Sequence, residues 1–145
     1  MQPAEILLVE DNPGDIRLTK EALHESRILN NLHVAIDGVE ALDFLKKRGR
    51  FADSPTPDLI FLDLNLPRKS GIEVLTEIKE NRNLKIIPIV VLTTSESEKD
   101  VLESYKLHVN CFVTKPVEFE AFMMVIKSIE DFWFSIVKLP KAAEQ

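Results

Sequence analysis

Four short apolar runs in this 145-residue chain end in side chains able to do chemistry. Ile6-Leu7-Leu8-Val9 is followed by Glu10-Asp11, Leu59-Ile60-Phe61-Leu62 by Asp63, Ile86 to Leu92 by Thr93-Thr94-Ser95, and Cys111-Phe112-Val113 by Thr114-Lys115-Pro116. A random surface would not place its polar residues so selectively. Three carboxylates brought within a few ångströms repel one another, so keeping them ionised takes a cation or raised pKa values. An oxygen-only donor set suits Mg²⁺, which keeps several waters and shares its shell with phosphate oxygens. For Glu10 or Asp11 taken singly, capping a helix or solvating a loop is the plainer role. Lys115 can set an ammonium over the acids as a point charge for a phosphate, with Thr93 donating a hydroxyl to the same group. Lys115 precedes Pro116, and an X–Pro bond adopts cis at modest cost, which would re-aim the side chain. No Gly-x-x-x-x-Gly-Lys-Ser/Thr occurs, so a nucleotide P-loop is excluded. A phosphoryl group carried on an aspartate is the simpler chemistry.

The elements that must position these residues alternate in kind. Asn12 caps, and Pro13 opens, a helix from about 13 to 29, since proline's missing N–H costs nothing at the first helical position. Leu32 to Ile36 reads as a second strand, followed by a helix opened by Asp37 with Glu40 at capping-box spacing. Ser70-Gly71-Ile72-Glu73 is a second capping box, with Ile72, Leu75 and Ile78 on one face of the helix behind it. The β-branched run Ile86 to Leu92 is the strongest strand signal, and a helix from about Glu96 to Leu107 follows it. The last helix starts near Glu118 and carries Phe119, Phe122, Ile126, Ile129, Trp133 and Ile136 on one stripe. Strands that are apolar throughout are buried on both faces by crossover helices. Five strand–helix pairs in strict alternation predict one α/β domain with a five-stranded parallel sheet. In such a sheet ligands bind beyond the carboxyl ends of the strands, where the acids and Lys115 lie.

Composition excludes several classes. Acids outnumber bases by 24 to 18, a net charge of −6 that counts against a nucleic-acid binder. No stretch approaches a membrane span, and the N-terminus lacks the basic region of a signal peptide. Cys111 is the single cysteine, which excludes an internal disulfide framework or a Cys-based zinc cluster; a buried, inert thiol is its expected state. His24, His33 and His108 fall in three different elements without ligand spacing and read as satisfied or solvated.

Glu10-Asp11, Asp63-Leu64-Asn65-Leu66-Pro67 running to Gly71, Thr93-Thr94 and Lys115-Pro116, taken in order, resemble the receiver domain of two-component response regulators. The resemblance implies a flavodoxin-like, doubly wound (βα)5 fold with strand order 2-1-3-4-5. Residues 1–145 would be a single receiver, its core at about 5–137, with an extended last helix, a tail and too few residues for an output domain. Asp63 would be the phosphoacceptor, taking its phosphoryl group from a phosphohistidine on a partner sensor histidine kinase. Asp11 and Asp63 would bind Mg²⁺ through carboxylates, Asn65 through its backbone carbonyl and Glu10 through a water. Thr93 and Lys115 would hold the phosphoryl oxygens. Thr93 and Phe112 would form the switch, although Phe112 stands where many relatives have tyrosine and lacks its hydroxyl. Asn65 and Ser95 would flank the path of the hydrolytic water without blocking it, so autodephosphorylation is expected on an ordinary timescale. The protein would be cytoplasmic and, beyond this self-phosphorylation and self-dephosphorylation, not an enzyme.

Two further features belong to this form of the family. The stretch Arg48 to Pro57 is longer than the connections usual between a helix and the next strand, and it is either a solvated excursion or a partner-contact loop. The last helix is apolar on most of its circumference, with Met123, Met124, Val125, Phe132, Phe134 and Val137 off the core stripe. Such a helix should not be left in water, and a homodimer face including Phe119, Met123, Phe132 and Phe134, extended to Leu139, is expected there. Both features resemble the small regulators of bacterial and cyanobacterial phytochrome kinases. The alternative function is an aspartate-based Mg²⁺ phosphohydrolase. Such enzymes want a second acid two residues after the nucleophile, where this chain has Asn65, and a cap domain for which it has no room. A flavodoxin-like electron carrier is disfavoured because no Ser/Thr-rich phosphate loop follows the first strand.

Overall fold

The computed structural model describes residues 3–94, 107, 109, 111–115 and 118–136, and the side chains of all these except 93–94, 111–112 and 132–136. Strands β1 (Ala4–Val9), β2 (Asn30–Ala35), β3 (Leu59–Asp63), β4 (Ile89–Thr94) and β5 (Cys111–Lys115) form one parallel sheet in the order β2-β1-β3-β4-β5. Four helices are described: α1 (Pro13–Glu25), α2 (Gly38–Leu45), α3 (Gly71–Glu80) and α4 (Phe119–Ile136). The expected helix at about 96–107 lies outside the described residues, as do Ser95, His108, Pro116 and the tail from Val137.

The continuous apolar runs bury both faces of the sheet because successive side chains point to opposite sides. Leu7, Val9, Ile60, Leu62, Ile89 and Val91 face α2 and α3, packing with Leu42, Leu45, Val74, Leu75 and Ile78. Ile6, Leu8, Leu59, Phe61, Val90 and Leu92 face α1 and α4, packing with Leu23, Phe122, Ile126 and Ile129. Phe61 meets Phe122 edge-on, ring centroids 5.8 Å apart, a geometry that adds about 1 kcal/mol beyond simple burial.

Local signals set most boundaries. The Asn12 side chain accepts the Asp15 N–H at 3.0 Å, with Pro13 at the helix start. Ser70 and Glu73 form a complete capping box. Asp37 accepts the Glu40 N–H at 2.7 Å, but the Glu40 carboxylate reaches the Ile36 N–H instead of the cap, so that box is only half made. Helix α1 ends at Glu25, short of 29, because Ser26 turns the chain and its hydroxyl bonds the Leu23 carbonyl at 2.7 Å. Strand β4 begins at Ile89 and not Ile86: Pro88 has no N–H to give the ladder, while its carbonyl accepts the Ile60 N–H at 3.0 Å. Ile86, left outside, is 79% exposed. On α3, Val74 joins Leu75 and Ile78 in the core, and Ile72 is only half buried.

The 48–57 connection is tied down along α2. A 3-10 turn at Gly49–Phe51 packs Phe51 against Phe44, the Arg50 guanidinium stacks 4.4 Å over the Phe51 ring, and the Ser54 hydroxyl bonds the Phe44 carbonyl at 2.8 Å. It is therefore more than a solvated excursion. On α4, Phe119, Met123 and Val125 pack in part against the chain's own core, and Met124 is 73% exposed. The side chains of Phe132 and Phe134 lie outside the described set.

Candidate functional site

The carboxyl ends of β1 and β3 sit side by side, with Val9 in register with Leu62, so the residues that follow each strand must converge. Glu10 and Asp63 are buried and Asp11 is exposed, and one carboxylate oxygen from each lies within 4.8 Å of the others. Strand β5 brings the counter-charge from 105 residues away. The Lys115 Nζ is 2.7 Å from Glu10 Oε1 and 3.1 Å from Asp63 Oδ2. Asp63 Oδ1 accepts the Asn65 N–H at 2.9 Å, and Glu10 Oε2 accepts the Asn12 N–H at 3.2 Å. The Asp63 carboxylate is thus fixed in orientation, one oxygen on a backbone donor and the other on the ammonium.

Sequence reasoning missed Asp15. Its Oδ2 lies 3.0 Å from Lys115 Nζ, making it the lysine's third carboxylate partner. The signal was present: an acid in the first turn of the helix that leaves the Glu10-Asp11 strand end, the position favoured by the helix dipole.

Three carboxylates (Glu10, Asp15 and Asp63) therefore share one ammonium, and a fourth, Asp11, lies beside Glu10 and Asp63. The imbalance shows in the pKa values. Burial of Glu10, with Asp63 beside it, pushes its carboxyl up to about 7 in spite of the bond to Lys115. Burial works against the Lys115 ammonium as well, but its bonds to Glu10 and Asp15 and the charge of Asp63 outweigh that and raise its pKa. Burial is the larger cause of the Glu10 shift, and the carboxylates that outnumber the one ammonium leave the cluster short of positive charge. An all-oxygen donor set with that deficit fits a hard divalent cation of the Mg²⁺ type.

The other expected residues are placed by register. Thr93 pairs with Thr114 and Asp63 with Leu92, so the Thr93 backbone lies one step beyond Asp63 on the neighbouring strand. Phe112 pairs with Val91. Their side chains, and that of Cys111, lie outside the described set. Gly71 closes the site from below: a Cβ there would come within 2.4 Å of the Asp63 carbonyl oxygen and of the Leu64 Cα. Only glycine lets α3 start so close to Asp63. His33 is satisfied, its Nε2 2.7 Å from Glu5 Oε1, and His24 is exposed. Among the described residues no helix is long and apolar enough to cross a membrane.

A family model for the response regulator receiver domain matches residues 6–127. The chain is 51% identical over 140 residues to the response regulator Rcp1 of Synechocystis sp. (strain ATCC 27184 / PCC 6803 / Kazusa), a match covering 97% of this chain and 95% of Rcp1. The crystal structure of the Mn²⁺-bound form of Rcp1 matches with a TM-score of 0.84 at 51% identity, over 95% of this chain and 99% of that one. The crystal structure of the phosphorylated cyanobacterial phytochrome response regulator RcpA matches with a TM-score of 0.85 at 48% identity, over 96% and 99%.

Proposed function

The chain belongs to the response regulator receiver domain family, and on that premise we propose that Asp63 accepts a phosphoryl group from a sensor histidine kinase in Mg²⁺-dependent signalling. One observation carries this reading: a buried aspartate held between a backbone N–H and the ammonium of Lys115, with two further acids within 4.8 Å. The Asp63 carboxylate attacks phosphorus, a P–O bond forms, the P–N bond of the phosphohistidine breaks, and the imidazole leaves with a proton. Little covalent chemistry is asked of the protein, so positioning and charge stabilisation do the catalysis. The Asn65 N–H orients the acceptor. Lys115, freed from Asp63 Oδ2 as that carboxylate becomes an acyl phosphate, follows the incoming charge to a phosphoryl oxygen, and the Thr93 hydroxyl donates a second hydrogen bond to the phosphoryl group. Asp11, Asp63, the Asn65 carbonyl and, through water, Glu10 would hold the Mg²⁺, which when bound neutralises charge on the transferring group. The Mn²⁺ in Rcp1 and the phosphorylated state of RcpA support both parts for relatives of this similarity.

On the same reading the kinase is of the phytochrome class, a reading supported by the likeness to RcpA, a cyanobacterial phytochrome response regulator. The α4 face, with Met124 at its most exposed point, serves a homodimer through Phe119, Met123, Phe132 and Phe134. Residues 1–145 act as one receiver unit in the cytoplasm. Thr93 and Phe112 form the switch, and Asn65 and Ser95 leave the hydrolytic water its path.

Incubation with Mg²⁺ and acetyl phosphate, followed by intact-mass measurement, tests the acceptor. The wild type gains one labile phosphoryl group and Asp63→Asn gains none. Labelling of the variant, or turnover of acetyl phosphate without any accumulating phosphoprotein, overturns the assignment, the second outcome in favour of a phosphohydrolase.

A further inference from the structure

The loop that follows Asp63 is clamped to the start of α2. Arg68 sits at φ +65°, a left-handed conformation that non-glycine residues adopt at a cost of about 1–2 kcal/mol. Its Nη1 donates to Asp37 Oδ2 at 2.9 Å, and the Asp37 carboxylate is almost wholly buried. The same carboxylate caps α2 through its other oxygen, at 2.7 Å from the Glu40 N–H. One residue on, a Cβ on Gly38 would lie 2.0 Å from the Lys69 carbonyl oxygen, so backbone meets backbone there and no side chain fits. At the far end, Gly71 is pressed on Asp63 and donates its N–H to the Leu64 carbonyl at 3.0 Å. Residues 64–70 are therefore held in the middle by Asp37 and Gly38 and at the end by Gly71. Asn65, which orients Asp63 through its N–H, lies between Leu64, which Gly71 holds, and Arg68, which Asp37 holds.

Strained backbone persists only where its surroundings over-determine it. The exposed Arg68 side chain has no packing reason to hold φ +65°. The buried carboxylate 31 residues away is a reason. We infer that Asp37 and Arg68 form a clamp that positions the Asn65 backbone, and so the Asp63 carboxylate and the metal site; both are positioning residues that touch neither phosphoryl group nor metal. The inference rests on the phosphoacceptor reading and adds to it a second structural element, the amino end of α2, as part of the acceptor machinery. It also makes the Asp37-Gly38 pair more than a helix cap: any residue but glycine at 38 would push Lys69, and with it the acceptor loop, away.

Mg²⁺ titration calorimetry and thermal unfolding on the whole chain separate positioning from plain stability. Asp37→Asn keeps the helix cap and the volume but loses the ion pair, and a rise of about tenfold in the Mg²⁺ Kd is expected, the lower end of the loss on removing a residue that supports a metal ligand. Arg68→Gly suits the left-handed backbone, so its Tm should stay within about 4 °C of wild type while its Mg²⁺ Kd rises by a similar factor. The double variant should be no worse than either single one, because one clamp is being removed. Mg²⁺ affinities within twofold of wild type in both single variants, or losses that multiply in the double, overturn the clamp. A wild type that binds no Mg²⁺ overturns instead the phosphoacceptor reading on which it stands.

Discussion

Two lysine–carboxylate clusters in this molecule are built from the same chemistry and do opposite things. At the strand ends, one ammonium, Lys115, is divided among Glu10, Asp15 and Asp63, and its carboxylate partners Glu10 and Asp63 are 0% and 3% exposed. Between α2 and α3, one carboxylate, Glu77, is shared by Lys46 at 2.9 Å and by Lys69, all three about 29–30% exposed. In the first cluster acid is in excess and Glu10 and Asp63 are shut away from water, although Asp15 is 28% exposed, so burial drives the Glu10 carboxyl up to about 7. In the second, base is in excess, and the bonds from Lys69 and Lys46 draw the Glu77 carboxyl down to about 2. A saturated surface pair is scaffold. A buried cluster in which carboxylates outnumber the one ammonium suits a cation.

Removing the lysine should break the comparison most sharply. Lys115→Ala leaves buried carboxylates without a counter-ion and should cost about 3 kcal/mol of stability in the absence of metal, read by urea unfolding at neutral pH. Added Mg²⁺ should restore much of it, since a ligand of the folded state stabilises that state. A loss below about 1 kcal/mol would mean that the cluster behaves like the surface one.

Glu10→Gln sharpens the contrast from the other side. A folded-state pKa raised above the unfolded 4.5 means that the native protein binds the extra proton, so stability falls as pH rises from about 4.5 to about 7. The variant should therefore be more stable than the wild type above pH 7 without metal, by about 1–3 kcal/mol, and the difference should close toward pH 4.5. Equal stability at pH 8 would show that Lys115 alone balances Glu10.

Glu77→Gln should give the smallest effect and the reverse pH dependence. A depressed folded pKa contributes stability that is present above the unfolded 4.5 and lost as pH falls toward about 2. Solvent screening limits the loss at neutral pH to about 1 kcal/mol or less. Urea midpoints of variant and wild type should converge on acidification; a gap that widened would reverse the assignment of scaffold and site.

How far each cluster can be read from the chain follows the same division. Glu10, Asp11, Asp63 and Lys115 announce themselves because each lies within two residues of the end of an apolar run, and alternation of side chains along a strand is a local property. The caps at Asn12 and Ser70 are equally local, spanning three residues. Asp15 was harder to see, since an acid in a first helical turn has an ordinary reason to be there. The start of β4 misled for a related reason: Ile86 and Ile87 carry the β-branched signal, yet Pro88 decides where the ladder begins. The 48–57 stretch offered two readings, and the packing of Phe51 on Phe44, the bond of Arg50 to Glu40 and the anchoring of Ser54 on Phe44 show it lying against α2.

By itself the order of residues determined the element types, the two-sided burial of the strands and the edge at which chemistry gathers. These depend on periods of two and of 3.6 residues and on capping groups within one turn. Tertiary structure decided which side chains touch. Lys115 and Glu10 are separated by 105 positions, and Arg68 and Asp37 by 31. Whether such pairs meet depends on strand order, on the 2.0 Å approach that Gly38 permits and on where burial removes water. No local pattern encodes those quantities, because each is set by elements that are distant in the chain and become neighbours only when the sheet has formed.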